Sequence, residues 1–186
     1  MSALIEPIVT VEDLAAMPDD SNRYEVIEGE ISVSRAPDFV HQVATSNLIG
    51  SINPYLKNNP IGTIVPTPGL ILSPIDGVIP DLVYMSNKRR DEILREGKLH
   101  AAPELVIEIL SPGTENIRRD RIVKRQLYAK HGVEEYWVID AQMRTLEVYR
   151  LHDGLLDFVA MYAKNDTVTT ALLPDWSISV EELFAV

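Results

Sequence analysis

Two carboxylates lie in apolar segments where an isolated charge is costly. Glu108 belongs to ELVIEIL (104–110), and Asp81 lies in IPDLVYM (79–85). A buried carboxylate needs a cation or a shifted pKa. Taken singly, Glu108 could pair with an arginine of the following helix, and Asp81 could cap a turn or end a strand. On neighbouring strands, the two together make a hard, oxygen-rich site suited to Mg²⁺ or Mn²⁺.

A lysine lies at the apolar edge of the helix predicted in ENIRRDRIVKRQLYAKH (115–131). At about 100° per residue, Lys124 lies on the same side as Ile117 and Tyr128. Three arginines are predicted to point away from that side: Arg118, Arg119 and Arg125. Lys124 could pair with Asp120, four residues earlier. Beside the buried stripe, its ammonium could instead orient an attacking water or neutralise charge in a phosphoryl-transfer transition state.

Other polar residues are interpreted as structural. Glu25 and Glu28 flank a predicted hairpin and are assigned to its surface, with a position of one of them near the metal as the alternative. His41 is interpreted as a capping or core histidine, with a contact to phosphate or metal as the alternative. The remaining histidines lack the spacing of a zinc site, and no Gly-rich phosphate loop is found. Since the chain has no cysteine, carboxylates remain as the strong metal ligands, which favours Mg²⁺ over zinc. The absence of cysteine also suits the cytoplasm.

The elements that must position these residues follow from apolar periodicity. The predicted strands are 23–28, 30–35, 62–66, 69–73, 79–85, 104–110, 133–140, 144–151, 155–163 and 167–172. The predicted helices are 10–17, 38–55, 88–96, 116–131 and 180–185. The second helix should bury a stripe of Val40, Ala44, Leu48, Ile52 and Leu56. Pro54 should distort or end that helix.

The order strand, helix, strand across 104–140 indicates a crossover between parallel strands. No long linker and no internal repeat interrupts the chain of 186 residues, so we expect a single domain over 1–186. Its fold class is α/β (α+β), with a mixed central β-sheet flanked by helices. No apolar run is long enough to span a membrane.

The net charge of −11 argues against avid binding of nucleic acid, but the charge is unevenly distributed. Residues 88–131 hold eleven basic and seven acidic residues, a net charge of +4, whereas both flanks are acidic. This segment contains Glu108 and Lys124, and Asp81 precedes it. A basic patch can bind a polyanion within an acidic protein because salt screens distant charges. A set of solvated helix faces would explain the same pattern.

Four stretches together resemble the PD-(D/E)XK nuclease superfamily, and within it the Uma-type restriction endonuclease family. They are RYEVIEGEI (23–31), IPDLVYM (79–85), PELVIEILSP (103–112) and DRIVKRQLYAKHGVEEYWVID (120–140). The resemblance implies a restriction-endonuclease-like core. It also implies a divalent metal bound by Asp81, Glu108 and the backbone carbonyl of Ile109, with Lys124 as the catalytic lysine.

One position departs from the pattern of the superfamily. Its motif has a lysine two residues after the glutamate, where this chain has Leu110. The lysine must therefore come from the helix. Lys130 and Arg121, on the same helix, are the alternatives to Lys124.

These observations predict a metal-dependent endonuclease that hydrolyses phosphodiester bonds, with DNA as the expected substrate and Mg²⁺ or Mn²⁺ as cofactor. Basic residues of 88–98 and 118–130 would contact the nucleic-acid backbone, chiefly Arg118, Arg119, Arg121 and Arg125. Cleavage of both strands would favour a homodimer. The alternative is a non-catalytic module on a nuclease fold that binds nucleic acid or protein, which the Leu110 substitution and the acidic charge favour.

Overall fold

The structure is a computed structural model that describes residues 8–186, so residues 1–7 of the predicted domain lie outside the described residues. The helical segments are a 3₁₀ turn (Asp13–Ala16), α1 (Phe39–Asn58), α2 (Asn87–Ile93), α3 (Thr114–Arg118), a π-helical turn (Arg119–Lys124), α4 (Arg125–Lys130) and α5 (Val180–Leu183). The π-helical turn joins α3 directly to α4, so these three segments form one continuous helix. None of the helices in residues 8–186 combines the length and apolarity needed to cross a membrane.

The strands, in chain order, are β1 (Arg23–Ile27), β2 (Glu30–Ser34), β3 (Gly62–Pro66), β4 (Leu70–Ser73), β5 (Asp76–Val78), β6 (Leu82–Ser86), β7 (Leu94–Arg95), β8 (Lys98–Leu99), β9 (Leu105–Ile109), β10 (Glu135–Asp140), β11 (Thr145–His152), β12 (Leu155–Tyr162), β13 (Thr167–Val168) and β14 (Ile178–Ser179). Most predicted strands are found, with ends shifted by a few residues.

The main sheet has the strand order β12–β11–β10–β9–β6–β3. Strands β9 and β10 are parallel, with Glu108 opposite Val138, and the helix between them makes the predicted crossover. The other neighbours in this sheet pair antiparallel. Because β9 is paired on both sides, Glu108 lies in an interior strand, as the apolar segment around it predicts.

A second sheet has the order β2–β1–β5–β4–β8–β7, and β13 and β14 form a separate pair. The predicted mixed α+β architecture is therefore confirmed, but its strands are divided between two large sheets. The predicted strand 79–85 begins only at Leu82 because Pro80 lacks the N–H that a ladder requires. The chain passes from the second sheet to the main sheet between Val78 and Leu82, and Asp81 lies in this connection.

The two faces of the main sheet cover different cores. On one face, Leu105, Ile107 and Ile109 of β9 belong to a core that includes the buried side of α1. On the other face, Val106 and Leu110 belong to a core shared with α4 and the second sheet. Glu108 has the same orientation as Val106 because side chains alternate along a strand. The Glu108 carboxylate therefore points into the space between the main sheet and the layer formed by α4 and the second sheet.

Helix α1 differs from its prediction in one residue of its buried stripe and at its C-terminal end. The Asp38 side chain caps it as predicted by accepting the backbone N–H of His41 at 3.0 Å. The buried stripe contains His41 in place of Val40, which is 41% exposed in the first turn. The helix continues beyond Pro54 to Asn58, so the proline does not end it. Ile52 and Leu56, on the buried side of the helix before and after Pro54, belong to the core under the main sheet and hold the last turns there.

Candidate active site

Asp81 is held by three hydrogen bonds at the connection between the sheets. Its Oδ2 accepts the backbone N–H of Ile109 at 2.9 Å and lies 2.9 Å from Nε2 of His41. Its Oδ1 accepts a hydrogen bond from the Arg23 guanidinium at 3.2 Å. Burial alone raises the pKa of Asp81, but the contacts with His41 and Ile109 outweigh it and lower the pKa below its ordinary value. The carboxylate is therefore ionised and fixed in orientation.

Glu108 meets a lysine and a tyrosine from the crossing helix. Its Oε1 accepts hydrogen bonds from the Lys124 ammonium at 2.9 Å and from the Tyr128 hydroxyl at 2.7 Å. Oε2 accepts no side-chain hydrogen bond from residues 8–186, and Glu108 lines a small cavity. Burial raises the pKa of Glu108 to about 8, with Lys124 opposing this effect and the charge of Asp81 reinforcing it. A bound cation would remove much of this penalty.

Lys124 is almost fully enclosed, with 2% of its surface exposed. Besides Glu108, its ammonium donates to Oε1 of Glu25 at 3.0 Å. Burial lowers the pKa of Lys124, but the carboxylates of Glu108, Glu25 and Asp120 outweigh burial and raise it above the ordinary value. The ammonium stays charged, and it keeps one N–H beyond those used by the two carboxylates.

The same cavity has a volume of about 30 Å³, enough for one or two water-sized occupants. Its lining includes Asp81, Glu108 and Lys124, so the structure brings together the three residues that the sequence singled out. Lys130, the alternative lysine, is not part of this lining. Its ammonium lies 3.5 Å from carboxylates of Glu28 and Asp76.

Glu25 is the main residue that the sequence interpretation assigns wrongly, whereas His41 is buried, as expected of a core histidine. Glu25 is 3% exposed and bridges Lys124 to the backbone N–H of Ile79, which it accepts at 2.8 Å, so it is not on the hairpin surface. Its position two residues before the buried Ile27 of β1, on the same face, was the available signal. The buried ring of His41 contacts Asp81 through Nε2. The other ring nitrogen, Nδ1, has no hydrogen-bond partner in the described part of the chain. Glu28 is exposed, as predicted.

The π-helical turn accounts for a further difference. Asp120 and Lys124 both lie in it and both are buried. A π turn contains an extra residue, which rotates the chain after it by about 100° relative to a regular helix. Arg119 therefore lines the cavity, where its Nε donates to Asp120 at 3.1 Å, instead of pointing away from it.

The other predicted arginines have different surroundings. Arg121 donates to Glu147 at 2.7 Å and lies 3.5 Å from Asp140. The Arg125 guanidinium lies 5.0 Å from the centre of the Tyr149 ring. Arg118 is exposed. These three residues are outside the cavity lining, on the helix that crosses over it.

The donor set fits a divalent cation that retains water ligands. No group of three or more His, Asp and Glu side chains within residues 8–186 is arranged to hold a metal ion. Two carboxylates that face one cavity, with Oε2 of Glu108 available, match Mg²⁺, which is usually held by one or two carboxylates together with waters and substrate phosphates. Asp81 and Glu108 would hold the metal together with a backbone carbonyl such as that of Ile109.

The fold defines the class: it is restriction-endonuclease-like, a mixed α+β protein in which an interior strand passes beneath a crossing helix. Carboxylates and a lysine meet between that strand and that helix. The chain belongs to the Uma2 family, described as "Putative restriction endonuclease", whose model matches residues 11–181. The predicted family is thereby confirmed, and its description supports a nuclease.

One solved structure shares the fold, and a second is similar over part of the chain. A putative nuclease belonging to DUF820 from Anabaena variabilis ATCC 29413 is similar with a TM-score of 0.76 and 22% identity, over 95% of this chain and 98% of that one. The type IIG restriction endonuclease BpuSI matches with a TM-score of 0.38 and 13% identity, over 61% of this chain and 11% of BpuSI. A search of curated proteins finds no match.

Proposed function

We propose that this protein is a Mg²⁺- or Mn²⁺-dependent endonuclease that hydrolyses phosphodiester bonds of DNA. The observation that carries the proposal is the contact of 2.9 Å between the Lys124 ammonium and Glu108, in the cavity that Asp81 also lines. Hydrolysis of a phosphodiester needs an activated water and compensation of the negative charge that develops on the phosphoryl oxygens. Two carboxylates and a lysine in one cavity meet both needs.

A divalent metal held by Asp81, Glu108 and the backbone carbonyl of Ile109 would supply Lewis-acid polarisation of the phosphate and lower the pKa of a bound water. Lys124 has a separate role. Two of its N–H groups are used by Glu108 and Glu25, and the third can orient the attacking water or donate to a phosphoryl oxygen. Asp81 is kept in place by Ile109 and His41 while this occurs.

Arginines of the crossing helix are proposed to contact the DNA backbone. Arg118 is exposed, and Arg121 and Arg125 are half-buried beside acidic or aromatic partners, so Arg118 is the most readily available of the three. Arg119 is proposed to act at the cavity itself, whose lining it joins. We also propose a homodimer, since one site of this kind cuts one strand and two-fold pairing is the common way to cut both.

The decisive experiment is a nicking assay on supercoiled plasmid DNA in Mg²⁺, Mn²⁺ or EDTA. The variants Asp81→Asn, Glu108→Gln and Lys124→Met remove one charge each with little change in volume. Exposed residues provide matched controls, Glu134→Gln for the carboxylates and Lys57→Met for the lysine. Wild type and both controls should cut only with metal, and the three site variants should lose at least about 100-fold in rate.

Equal cleavage by all proteins would contradict the site assignment and indicate a contaminating nuclease. A structured RNA used in parallel decides between DNA and RNA. A non-catalytic module, the alternative favoured by Leu110, would retard DNA in a gel without metal and leave it uncut.

A further inference from the structure

Three arginines line the cavity, and they differ in what they contact. Arg119 is engaged by Asp120, and Arg23 donates to Asp81. Arg35 is exposed and forms no ion pair with any residue in 8–186. An arginine that borders a carboxylate-lined cavity without engaging a carboxylate is available to an anionic ligand.

Arg23 and Arg35 come from adjacent points on the first hairpin. Arg23 begins β1 and lies opposite Ser34, the last residue of β2. Arg35 follows Ser34 directly, so both guanidiniums arise at the open end of the hairpin. This end reaches the cavity because Glu25, two residues after Arg23, is buried against Lys124.

The contact between Arg23 and Asp81 is also one that a ligand can displace. Its length is 3.2 Å, and 27% of the Arg23 side chain remains exposed. It engages Oδ1 of Asp81, whereas Oδ2 already accepts from Ile109 and faces His41. A cation bound to Oδ1 would take over the role of the guanidinium and leave Arg23 able to turn to another anion.

We propose that Arg23 and Arg35 form a binding site for a phosphate group of the nucleic-acid backbone at the outer wall of the cavity. This inference rests on the proposed function. Guanidinium groups present a planar fork of donors that matches phosphate oxygens, and the carboxylates that dominate the rest of the cavity would repel a phosphate. The hairpin thus binds the substrate next to the reacting centre, separately from the arginines of the crossing helix.

The test measures binding of a fluorescein-labelled DNA duplex by anisotropy, with Glu108→Gln present in every protein so that the DNA stays intact. Arg35→Gln is the main variant because Arg35 contacts neither Asp81 nor Glu108. It should weaken binding about tenfold and reduce the slope of log K against log salt by about 0.9 between about 50 and 200 mM salt. Arg23→Gln should have a similar effect on the slope.

Two further variants separate a phosphate site from general charge. Lys164→Gln removes one positive charge at an exposed position outside the cavity lining and should leave the slope unchanged. Arg35→Lys should restore the slope but only part of the affinity, because lysine retains the charge and loses the fork. The melting temperature of Arg35→Gln should equal that of its parent, since the side chain is exposed.

Unchanged affinity and slope in Arg35→Gln, or an equal loss in Lys164→Gln, would overturn the inference. If the otherwise wild-type enzyme cuts plasmid and its Arg35→Gln variant keeps the same KM, the inference fails and the nuclease function stands. If wild type neither binds nor cuts DNA, both fail. Binding that depends on Arg35 without any cleavage supports the phosphate site and refutes the catalytic proposal.

Discussion

Replacing Lys124 by methionine should destabilise the protein more than replacing a carboxylate that contacts it. The ammonium is 2% exposed and lies 2.9 Å from Glu108 and 3.0 Å from Glu25. Methionine fills a similar volume but leaves two buried carboxylates without their cation, and breaking a buried ion pair costs about 3–5 kcal/mol. Burial raises the pKa of Glu108 and Lys124 opposes that rise, so without Lys124 the pKa rises further and Glu108 takes up a proton at neutral pH, which favours the lower end of this range.

Glu25→Gln tests the same cavity by removing the charge of a carboxylate and keeping the lysine. Glutamine keeps an oxygen that can accept from Lys124 and from the Ile79 N–H, and Lys124 retains Glu108 as its partner. It also removes one negative charge from a cavity that Asp81 and Asp120 border as well. The expected change in the free energy of unfolding is therefore only about 1 kcal/mol, of either sign.

The assay is urea and thermal unfolding in EDTA near pH 7, followed by circular dichroism. For a chain of this length about 2–4 °C of melting temperature corresponds to 1 kcal/mol, so Lys124→Met should melt roughly 6–20 °C below wild type. The exposed control Lys57→Met should stay within about 0.5 kcal/mol of wild type. Wild-type stability in Lys124→Met, or a larger loss in Glu25→Gln than in Lys124→Met, would refute the reasoning.

Other regions give three further expectations. Asp76 is fully buried, and although burial raises its pKa, hydrogen bonds from the Glu28 N–H and from His131 are among the contacts that bring it below 3.8. The ionised carboxylate therefore stabilises the protein above pH 3.8, and this stabilisation is lost as the pH falls below that value. Asp76→Asn should lower the free energy of unfolding by about 1–2 kcal/mol at pH 7. In urea unfolding at a series of pH values, the difference from wild type should shrink below about pH 4. Leu48→Ala, in the fully buried stripe of α1, should cost about 2–5 kcal/mol by urea unfolding. Mn²⁺ at about 100 times its Kd should raise the unfolding free energy by about 2.7 kcal/mol in calorimetry, and Asp81→Asn should abolish that rise.

The sequence predicts the residues of the site where a local pattern carries the information. Glu108 interrupts an apolar strand, and the alternation of β9 assigns it to the face below the crossing helix. Lys124 follows from helical spacing, which puts it near Tyr128, and both side chains do contact Glu108. These predictions need only the period of one element at a time.

The features that the sequence does not predict depend on how elements pack against each other. Glu25 is a surface residue if the first hairpin stands alone and a buried one once the second sheet covers the main sheet. The alternation of β1 puts Glu25 on the same face as Ile27, but it does not show that this face packs against the main sheet. The burial of His41 is as expected, but its contact with Asp81 also depends on packing, because it joins residues 40 positions apart. The π-helical turn is also invisible to a pattern that assumes 3.6 residues per turn, and it reverses the prediction for Arg119.

The proposed role of Lys124, a lysine that comes from the helix and not from the strand, would explain why these contacts cluster where they do. A lysine at position 110 would have its backbone held by β9 and its neighbours, but Leu110 packs in the core shared with α4. The long, flexible side chain of Lys124 reaches the cavity from the helix, and its charged end is held there by two carboxylates. Glu25 provides that anchor from the second sheet, opposite Glu108 of the main sheet. Correct placement of Lys124 therefore requires both sheets to be docked, and a substitution that loosens β1 should impair the site without touching a metal ligand.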